Sequence, residues 1–149
     1  MIQIRLANEY DSQHIVDFQI EMAMETEGLE LSHKIVSEGV KSVFQDPSKG
    51  KYYVATNDEN ILASLLLTPE WSDWRNAWVM WIQSVYVMPE KRNKGVFKLM
   101  YKYILESVKE NEEIAGLRLY VDLSNNRARA VYKQLGMNGD HYQLFEHMK

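Results

Sequence analysis

The chain has 149 residues, 46% of them hydrophobic and 26% charged, a balance typical of one globular domain, expected over residues 1–149. It contains no cysteine, which excludes disulfides, thiolate catalysis and cysteine metal sites. The net charge is −4, without the overall basic excess of a nucleic-acid-binding domain, and we expect no nucleic-acid partner.

The two halves of the chain differ in charge. Residues 1–75 carry 13 acidic and 6 basic side chains, whereas residues 76–149 carry 8 acidic and 11 basic ones. The asymmetry either arises by chance or indicates a bipartite site, in which the C-terminal half holds anions and the N-terminal half meets a cation.

The N-terminus lacks a basic region followed by a long apolar run, which argues against a secretory signal. The apolar stretches are interrupted before they reach the length of a membrane span. These patterns favour a soluble, cytoplasmic protein with no membrane partner.

The hydrophobic periodicity predicts elements in the order β-α-α-β-β-β-α-β-α-β. The predicted segments are a strand at Ile2–Leu6; a helix from Asp11 or Ser12 to Gly28 with Ile15, Phe18 and Met22 inside; a helix through Ile35, Val36, Val40, Val43 and Phe44; strands at Lys51–Thr56 and Ile61–Leu67 joined around Asn57-Asp58-Glu59-Asn60; a strand at Trp78–Val87; a helix at Gly95–Val108; a strand through Leu117, Leu119 and Val121; a short helix through Ala128, Val131, Tyr132 and Leu135; and a last strand at Tyr142–Met148.

This order predicts an α/β or α+β sheet with helices on its faces. The segment Trp78–Val87 is almost continuously apolar, which favours a strand buried on both faces. Together with the helix and strand that follow, it predicts a parallel crossover unit, and ligands bind such sheets at the C-terminal ends of the strands.

Cations crowd the stretch that leaves this strand. Residues 87–100 read VMPEKRNKGVFKLM, with four cationic side chains around the glycine that opens the next helical pattern. A helix N-terminus presents unpaired N–H groups and a partial positive charge, which suit an anion such as a phosphate. By itself the stretch also fits a solvated turn, and the chain has no GxxxxGK[ST] or GxGxxG motif.

Two motifs, in this order, resemble the GNAT superfamily of acetyl-CoA-dependent N-acetyltransferases. The family's R/Q-x-x-G-x-G/A loop is matched by Arg92-Asn93-Lys94-Gly95-Val96, with Phe97 where the family prefers a small residue. Its later motif, N-x-x-A-x-x-x-Y-x-x-x-G-F, is matched at Asn125, Ala128, Tyr132 and Gly136, with Met137 in the aromatic position.

The resemblance implies a mixed, mostly antiparallel sheet with a central, splayed parallel strand pair and helices on both faces. It implies that Val85 and Val87 pair their backbone with the pantetheine arm near the acetyl carbonyl, and that Asn125 lies near this arm, although asparagine there is equally a helix cap. It further implies that backbone N–H groups hold the pyrophosphate of coenzyme A, contributed by Arg92, Asn93, Lys94, Gly95, Val96, Phe97 and Lys98.

The resemblance also implies that Tyr132 is the general acid. Amine attack on the thioester releases a thiolate with a reference pKa of about 8.5, against about 10 for tyrosine, which therefore still holds its proton at neutral pH. The alternative is a half-buried tyrosine that packs beside Ala128 and Leu135.

Acidic residues are candidates for binding the amine or accepting its proton. Glu25 and Glu27 end the first helical pattern, and Glu70 and Asp73 flank Trp71 in a predicted loop, where carboxylates and tryptophans would suit a cation. That loop could instead be held by tryptophan packing and a pair between Asp73 and Arg75. The central strand has no carboxylate, so the base stays unassigned.

No other catalytic pattern is present. The four histidines lack HExxH spacing, so we expect no metal, and no GxSxG elbow occurs. The sequence thus predicts acetyl transfer from acetyl-CoA to a primary amine of a small cationic molecule. The alternatives are a coenzyme A sensor without catalysis and a protein-interaction domain without a cofactor. The resemblance also allows a homodimer, which is common in the family.

Overall fold

The computed structural model describes residues 1–58 and 60–149, so Glu59 of the predicted hairpin turn lies outside the described residues. The chain divides into two compact units, residues 1–118 and residues 119–149. The single domain over residues 1–149 stays a prediction.

The first unit contains a five-stranded sheet and three α-helices. Its elements are β1 Ile2–Leu6, α1 Ser12–Glu27, α2 His33–Gln45, β2 Lys51–Asn57, β3 Asn60–Ser72, β4 Ala77–Val87, α3 Val96–Glu110 and β5 Ile114–Arg118, with short 3-10 turns at Glu9–Asp11 and Pro89–Lys91. The second unit contains α4, Asn126–Gln134.

The strands lie in the order β1-β2-β3-β4-β5. Neighbours from β1 to β4 are antiparallel, whereas β4 and β5 are parallel and are connected through α3. The predicted mixed sheet and its parallel crossover are therefore confirmed.

Helices cover both faces of the sheet. Successive residues of a strand point to opposite faces, and on β2 the ring of Tyr52 contacts Phe44 of α2, whereas the ring of Tyr53 contacts Tyr103 of α3. The core on the first face joins α1, α2 and the central strands around Ile15, Phe18, Val40, Val54 and Tyr86. On α3, residues spaced by helical turns, including Met100, Ile104 and Val108, are buried.

One residue of the predicted apolar stripe of α2 faces the other way. Ser32 caps this helix by accepting the Ile35 N–H at 3.3 Å, and Val40 is buried, but Ile35 is 69% exposed. Adjacent helical residues differ by about 100° in direction, so a stripe through Val36 and Val40 leaves Ile35 outside.

The strands around the centre of the sheet differ from their predicted limits. β3 runs on to Ser72, so the predicted aromatic loop is strand up to that residue and a tight turn from Asp73. Trp78 is 40% exposed, so β4 is not buried on both faces at its start. β5 ends at Arg118, before Leu119 and Val121, and Arg118 is the last residue with a partner in β4.

The predicted last strand at Tyr142–Met148 is wrong. The described residues of this segment form no strand, and Tyr142, Leu144, Phe145 and Met148 are each more than half exposed. A segment of alternating apolar and polar residues has a propensity to form a strand. A strand also needs the edge of a neighbouring strand with which to exchange hydrogen bonds.

Among the helices that the structure describes, none has both the length and the apolar character needed to cross a lipid bilayer.

Candidate functional site

A bulge interrupts β4 near its C-terminal end. Leu66 pairs with Gln83 and Ser64 pairs with Tyr86, so two residues of β4, Ser84 and Val85, oppose one residue of β3. Ser84 has φ +54°, a left-handed conformation that is uncommon for serine. Bulges of this kind bend a strand and redirect its backbone groups.

Beyond this point β4 runs without β5. The parallel pairing ends where Trp81 faces Arg118, so the bulge, Val85 and Val87 all lie past the pairing with β5. The Met88 N–H donates to the Leu62 carbonyl of β3 at 2.9 Å. Because a trans peptide points its carbonyl opposite to its N–H, the Val87 carbonyl faces the open edge of β4.

The loop after β4 turns sharply into α3. Asn93 and Gly95 have φ of +62° and +75°, both in the left-handed region, and α3 starts directly after Gly95. The first intrahelical bond runs from the Leu99 N–H to the Gly95 carbonyl at 3.0 Å. N–H groups at the start of α3 therefore point out of its N-terminal end.

The predicted phosphate-binding residues lie together in this loop, with one difference. The Arg92 N–H already donates to the Pro89 carbonyl at 3.2 Å, so backbone donors for a ligand begin at Asn93. Lys94 and Lys98 are exposed, and Val96 is buried beneath the turn.

Phe97 is half-buried and its ring lies 6.3 Å from the ring of Tyr101, one turn further along α3. Tyr101 is itself buried. The ring of the large residue that departs from the family pattern thus lies beside Tyr101 on α3.

The side chain of Arg92 runs back toward the sheet. Its Nε donates to the Val87 carbonyl at 2.8 Å, and its Nη2 donates to the Glu25 carboxylate of α1 at 2.8 and 3.2 Å. Its guanidinium carbon lies 5.3 Å from the centre of the Tyr86 ring. Glu25, which was predicted to contact the acceptor amine, therefore forms an ion pair with Arg92 of the loop.

Tyr86 carries a second link between β4 and α1. Its hydroxyl donates to the Glu21 carboxylate at 2.6 Å, and its ring packs 4.8 Å from that of Phe18. Burial, together with the hydrogen bond to Glu21, raises the pKa of Tyr86 well above its ordinary value, so the hydroxyl stays a donor.

Of the other acidic candidates, Glu70 and Asp73 lie apart from the bulge. Glu27 is exposed at the end of α1. Glu70 pairs with Arg118 at 2.6 Å and lies opposite Val79, and Asp73 accepts the Trp74 N–H in the β3–β4 turn. Strands rise about 3.3 Å per residue, so these last two lie roughly 20 Å along β4 from the bulge.

The second unit presents Asn125 and Tyr132 on α4. The Asn125 side chain accepts the Ala128 N–H at 3.1 Å and so caps the helix. Burial raises the pKa of Tyr132. The Met137 N–H returns to the Tyr132 carbonyl at 3.1 Å as Gly136 ends the helix with φ +88°.

Sequence reasoning missed Glu21, Tyr86 and Ser84. Glu21 precedes Glu25 by four residues and therefore shares its helix face, which is a signal that the sequence does contain. The roles of Tyr86 and Ser84 depend on the site of the bulge, which the apolar run of β4 does not reveal.

Comparison with known proteins agrees with this geometry. Residues 8–137 match the acetyltransferase (GNAT) family. The crystal structure of a possible acetyltransferase from Clostridium difficile 630 is 42% identical, with a TM-score of 0.92 over 100% of this chain and 98% of that one. No curated protein matches the sequence significantly.

More distant structures share the fold. A predicted acetyltransferase with acetyl-CoA from Clostridium acetobutylicum is 19% identical, with a TM-score of 0.76 over 98% of this chain and 96% of that one. A ribosomal-protein-alanine N-acetyltransferase from Brucella melitensis biovar Abortus 2308 is 15% identical, with a TM-score of 0.80 over the whole of both chains. The motifs, the sheet and the family match agree, and the chain belongs to the GNAT family of acetyltransferases.

Proposed function

We propose that the protein transfers an acetyl group from acetyl-CoA to a primary amine of a small cationic molecule, by direct attack in a ternary complex. The observation that carries the proposal is the bulge at Ser84 and Val85, past the last pairing with β5 and directly before the turn into α3. A strand edge next to a helix N-terminus suits an elongated ligand with a phosphate end.

The residues present fit coenzyme A. Backbone donors from Asn93 onward, with exposed Lys94 and Lys98, would hold the pyrophosphate, and the backbone of Val85 and Val87 would hold the pantetheine arm. Since the Val87 carbonyl accepts from Arg92, its N–H is the group left for the ligand. When bound, acetyl-CoA supplies an activated acetyl thioester. A related fold with acetyl-CoA, from Clostridium acetobutylicum, supports this fit.

One side chain and one backbone group would then handle the proton and the developing charge. Tyr132 would protonate the departing thiolate, and its raised pKa keeps the proton available at neutral pH. A backbone N–H beside the acetyl oxygen, from Val85 at the bulge, would stabilise the developing oxyanion.

The acceptor side would use a carboxylate of α1. Glu25 is paired with the cationic Arg92, whereas the hydrogen bond that Glu21 accepts from Tyr86 comes from a neutral hydroxyl. A lysine-like amine has a pKa of about 10.4, so about one molecule in a few thousand is neutral at pH 7. A carboxylate near the bulge would attract the cation and assist its deprotonation, and Glu21 is our candidate for that role.

The experiment is thiol release from acetyl-CoA across a panel of amines: polyamines, aminoglycosides, single amino acids and peptide N-termini. We expect amine-dependent release for small cationic acceptors, with acetylated product confirmed by mass spectrometry. Acetyl-CoA binding without release for any amine would instead favour the coenzyme A sensor, which the absence of a carboxylate on β4 keeps as the alternative. Absence of binding would contradict both.

A further inference from the structure

Arg92 is held at three points, two of them on β4 and one on α1. Its Nε donates to the last carbonyl of β4, its Nη2 donates to Glu25 near the C-terminal end of α1, and its guanidinium lies over the ring of Tyr86. A long arginine side chain loses much rotamer freedom when fixed, and only several simultaneous contacts offset that loss.

The consequence is local to the start of the loop. Arg92 leaves the 3-10 turn Pro89–Lys91 with extended backbone, and Asn93 then takes its left-handed conformation. Because the Arg92 side chain is held by α1 and β4, the backbone of Arg92 is held in place as well. This sets the position of the next residues, whose N–H groups are the phosphate donors from Asn93 onward. The Arg92–Glu25 pair is only partly exposed, with side-chain exposures of 34% and 40%.

We propose that Arg92 and Glu25 form a positioning pair that links α1 to the phosphate-binding loop, so that cofactor affinity depends on Glu25 although Glu25 lies outside that loop. This rests on the proposed function. It reassigns Glu25 from an acceptor contact to a residue that acts through Arg92. By reciprocity, cofactor binding should in turn stabilise the Arg92–Glu25 pair.

The test is a double-mutant cycle on affinity. Wild type, Arg92→Gln, Glu25→Gln and the double variant are titrated with coenzyme A, with adenosine 3′,5′-bisphosphate and with pantetheine. Glutamine keeps the length of Glu25 and still offers Arg92 a weaker, neutral partner, and the family's loop accepts glutamine at position 92. Asp46→Asn, which breaks the exposed ion pair with Lys49, is the matched control.

We expect each single variant to weaken the binding of coenzyme A and of the bisphosphate on the order of fivefold. This corresponds to a contribution of about 1 kcal/mol from the ion pair to the binding free energy. The double variant should lose no more than the larger single loss, because the two side chains act as one unit. Pantetheine lacks the phosphates that the loop would hold, so Glu25→Gln should change pantetheine affinity less than twofold. The Asp46→Asn control should change none of the three affinities by more than twofold.

Three outcomes would overturn the proposal. One is Glu25→Gln raising the amine KM while leaving coenzyme A affinity unchanged, which would make Glu25 an acceptor contact. A second is a lower melting temperature with unchanged affinities, which would leave the pair a stabilising role only. The third is additive losses in the double variant. Failure of wild type to bind coenzyme A would contradict the proposed function as well, and so differs from all three.

Discussion

At the residue scale, Tyr132 carries the proposed proton transfer. It lies one helical turn after Ala128 in α4, and burial raises the pKa of its hydroxyl. We predict that Tyr132→Phe lowers kcat by about 10²-fold or more, because positioned proton transfer is typically worth that much. Coenzyme A affinity should stay within about twofold of wild type, since the ring is retained.

Tyr103→Phe provides the control for this change. Tyr103 is an exposed tyrosine of α3 that contacts Tyr53, and loss of its hydroxyl should leave kcat unaltered. Stopped-flow thiol release and calorimetric binding report the two quantities separately. Equal turnover in wild type and Tyr132→Phe would remove the acid role.

Gly95 makes a second test at this scale. Its φ of +75° lies in the left-handed region, and an added Cβ would meet nothing within 4 Å. The cost of Gly95→Ala is thus conformational, about 1 kcal/mol of unfolding free energy. Because a shifted turn displaces the loop donors, coenzyme A affinity should fall as well.

Gly39 is the matched glycine for this comparison. It lies within α2, has an ordinary helical backbone and likewise has open space around its Cα. Gly39→Ala should therefore raise the unfolding free energy by about 0.5–1 kcal/mol. Urea denaturation of both variants checks the opposite signs, and a stabilising Gly95→Ala would contradict the left-handed turn.

At the scale of elements, the bulge in β4 is the feature with the clearest chemical consequence. Serine tolerates φ +54° at Ser84 poorly, and a β-branched residue tolerates it less. We predict that Ser84→Val costs about 1–2 kcal/mol of stability and weakens coenzyme A binding, whereas Ser84→Gly keeps both. Unchanged cofactor affinity in a folded Ser84→Val variant would show that the bulge has no part in binding.

Most elements could be predicted from periodicity and motif spacing, because strand and helix patterns are local. The parallel crossover followed from the apolar strand, the helix after Gly95 and the next strand. The end of β5 could not be predicted, because it depends on where β4 leaves its partner after Trp81. The segment Tyr142–Met148 was mispredicted for the same reason. Alternating apolar and polar residues indicate which side of a strand would be buried, but they do not show whether a neighbouring strand is available to pair with it.

The candidate site shows the same division. Arg92, Gly95 and Lys98 could be placed in one loop from sequence alone, because they are neighbours in the chain. Glu70 could not be separated from Glu25, because the distance between them depends on the length of the β3–β4 hairpin. That hairpin extends to Ser72 and sets Glu70 against Arg118.

At the scale of the whole molecule, the uneven charge of the two halves has a partly structural explanation. Two ion pairs, Arg92–Glu25 and Arg118–Glu70, each join a basic residue of the second half to an acidic residue of the first. Some of the charged residues that make the two halves differ therefore stabilise the fold through these pairs. Lys94 and Lys98 remain exposed, where they could bind an anion.

Stability should depend on pH through Asp11. Burial opposes its charged form, but hydrogen bonds from Arg5, at 2.7 and 2.9 Å, and from the Asn8 N–H outweigh this and lower its pKa. A lowered folded pKa gives stability that is present above about pH 4 and is lost as the pH falls further.

Asp11→Asn should therefore lower the unfolding free energy by about 1–2 kcal/mol at pH 7, allowing for the partial exposure of Arg5. The gap in unfolding free energy between wild type and variant should narrow below about pH 4, because the unfolded wild-type carboxyl takes up a proton there and the folded carboxyl follows at lower pH. Urea denaturation at pH 7 and pH 3 measures both values. A gap that stays constant with pH would contradict the charged pairing.

The central claim is that this chain binds acetyl-CoA at the bulge of β4 and the turn into α3. Isothermal titration calorimetry of the wild-type protein with acetyl-CoA tests it most directly. We predict saturable binding with one site per chain and a Kd below about 1 mM, weakened by Gly95→Ala and unaffected by Asp46→Asn. The absence of a binding isotherm at millimolar acetyl-CoA, or equal affinities for wild type and Gly95→Ala, would contradict the account.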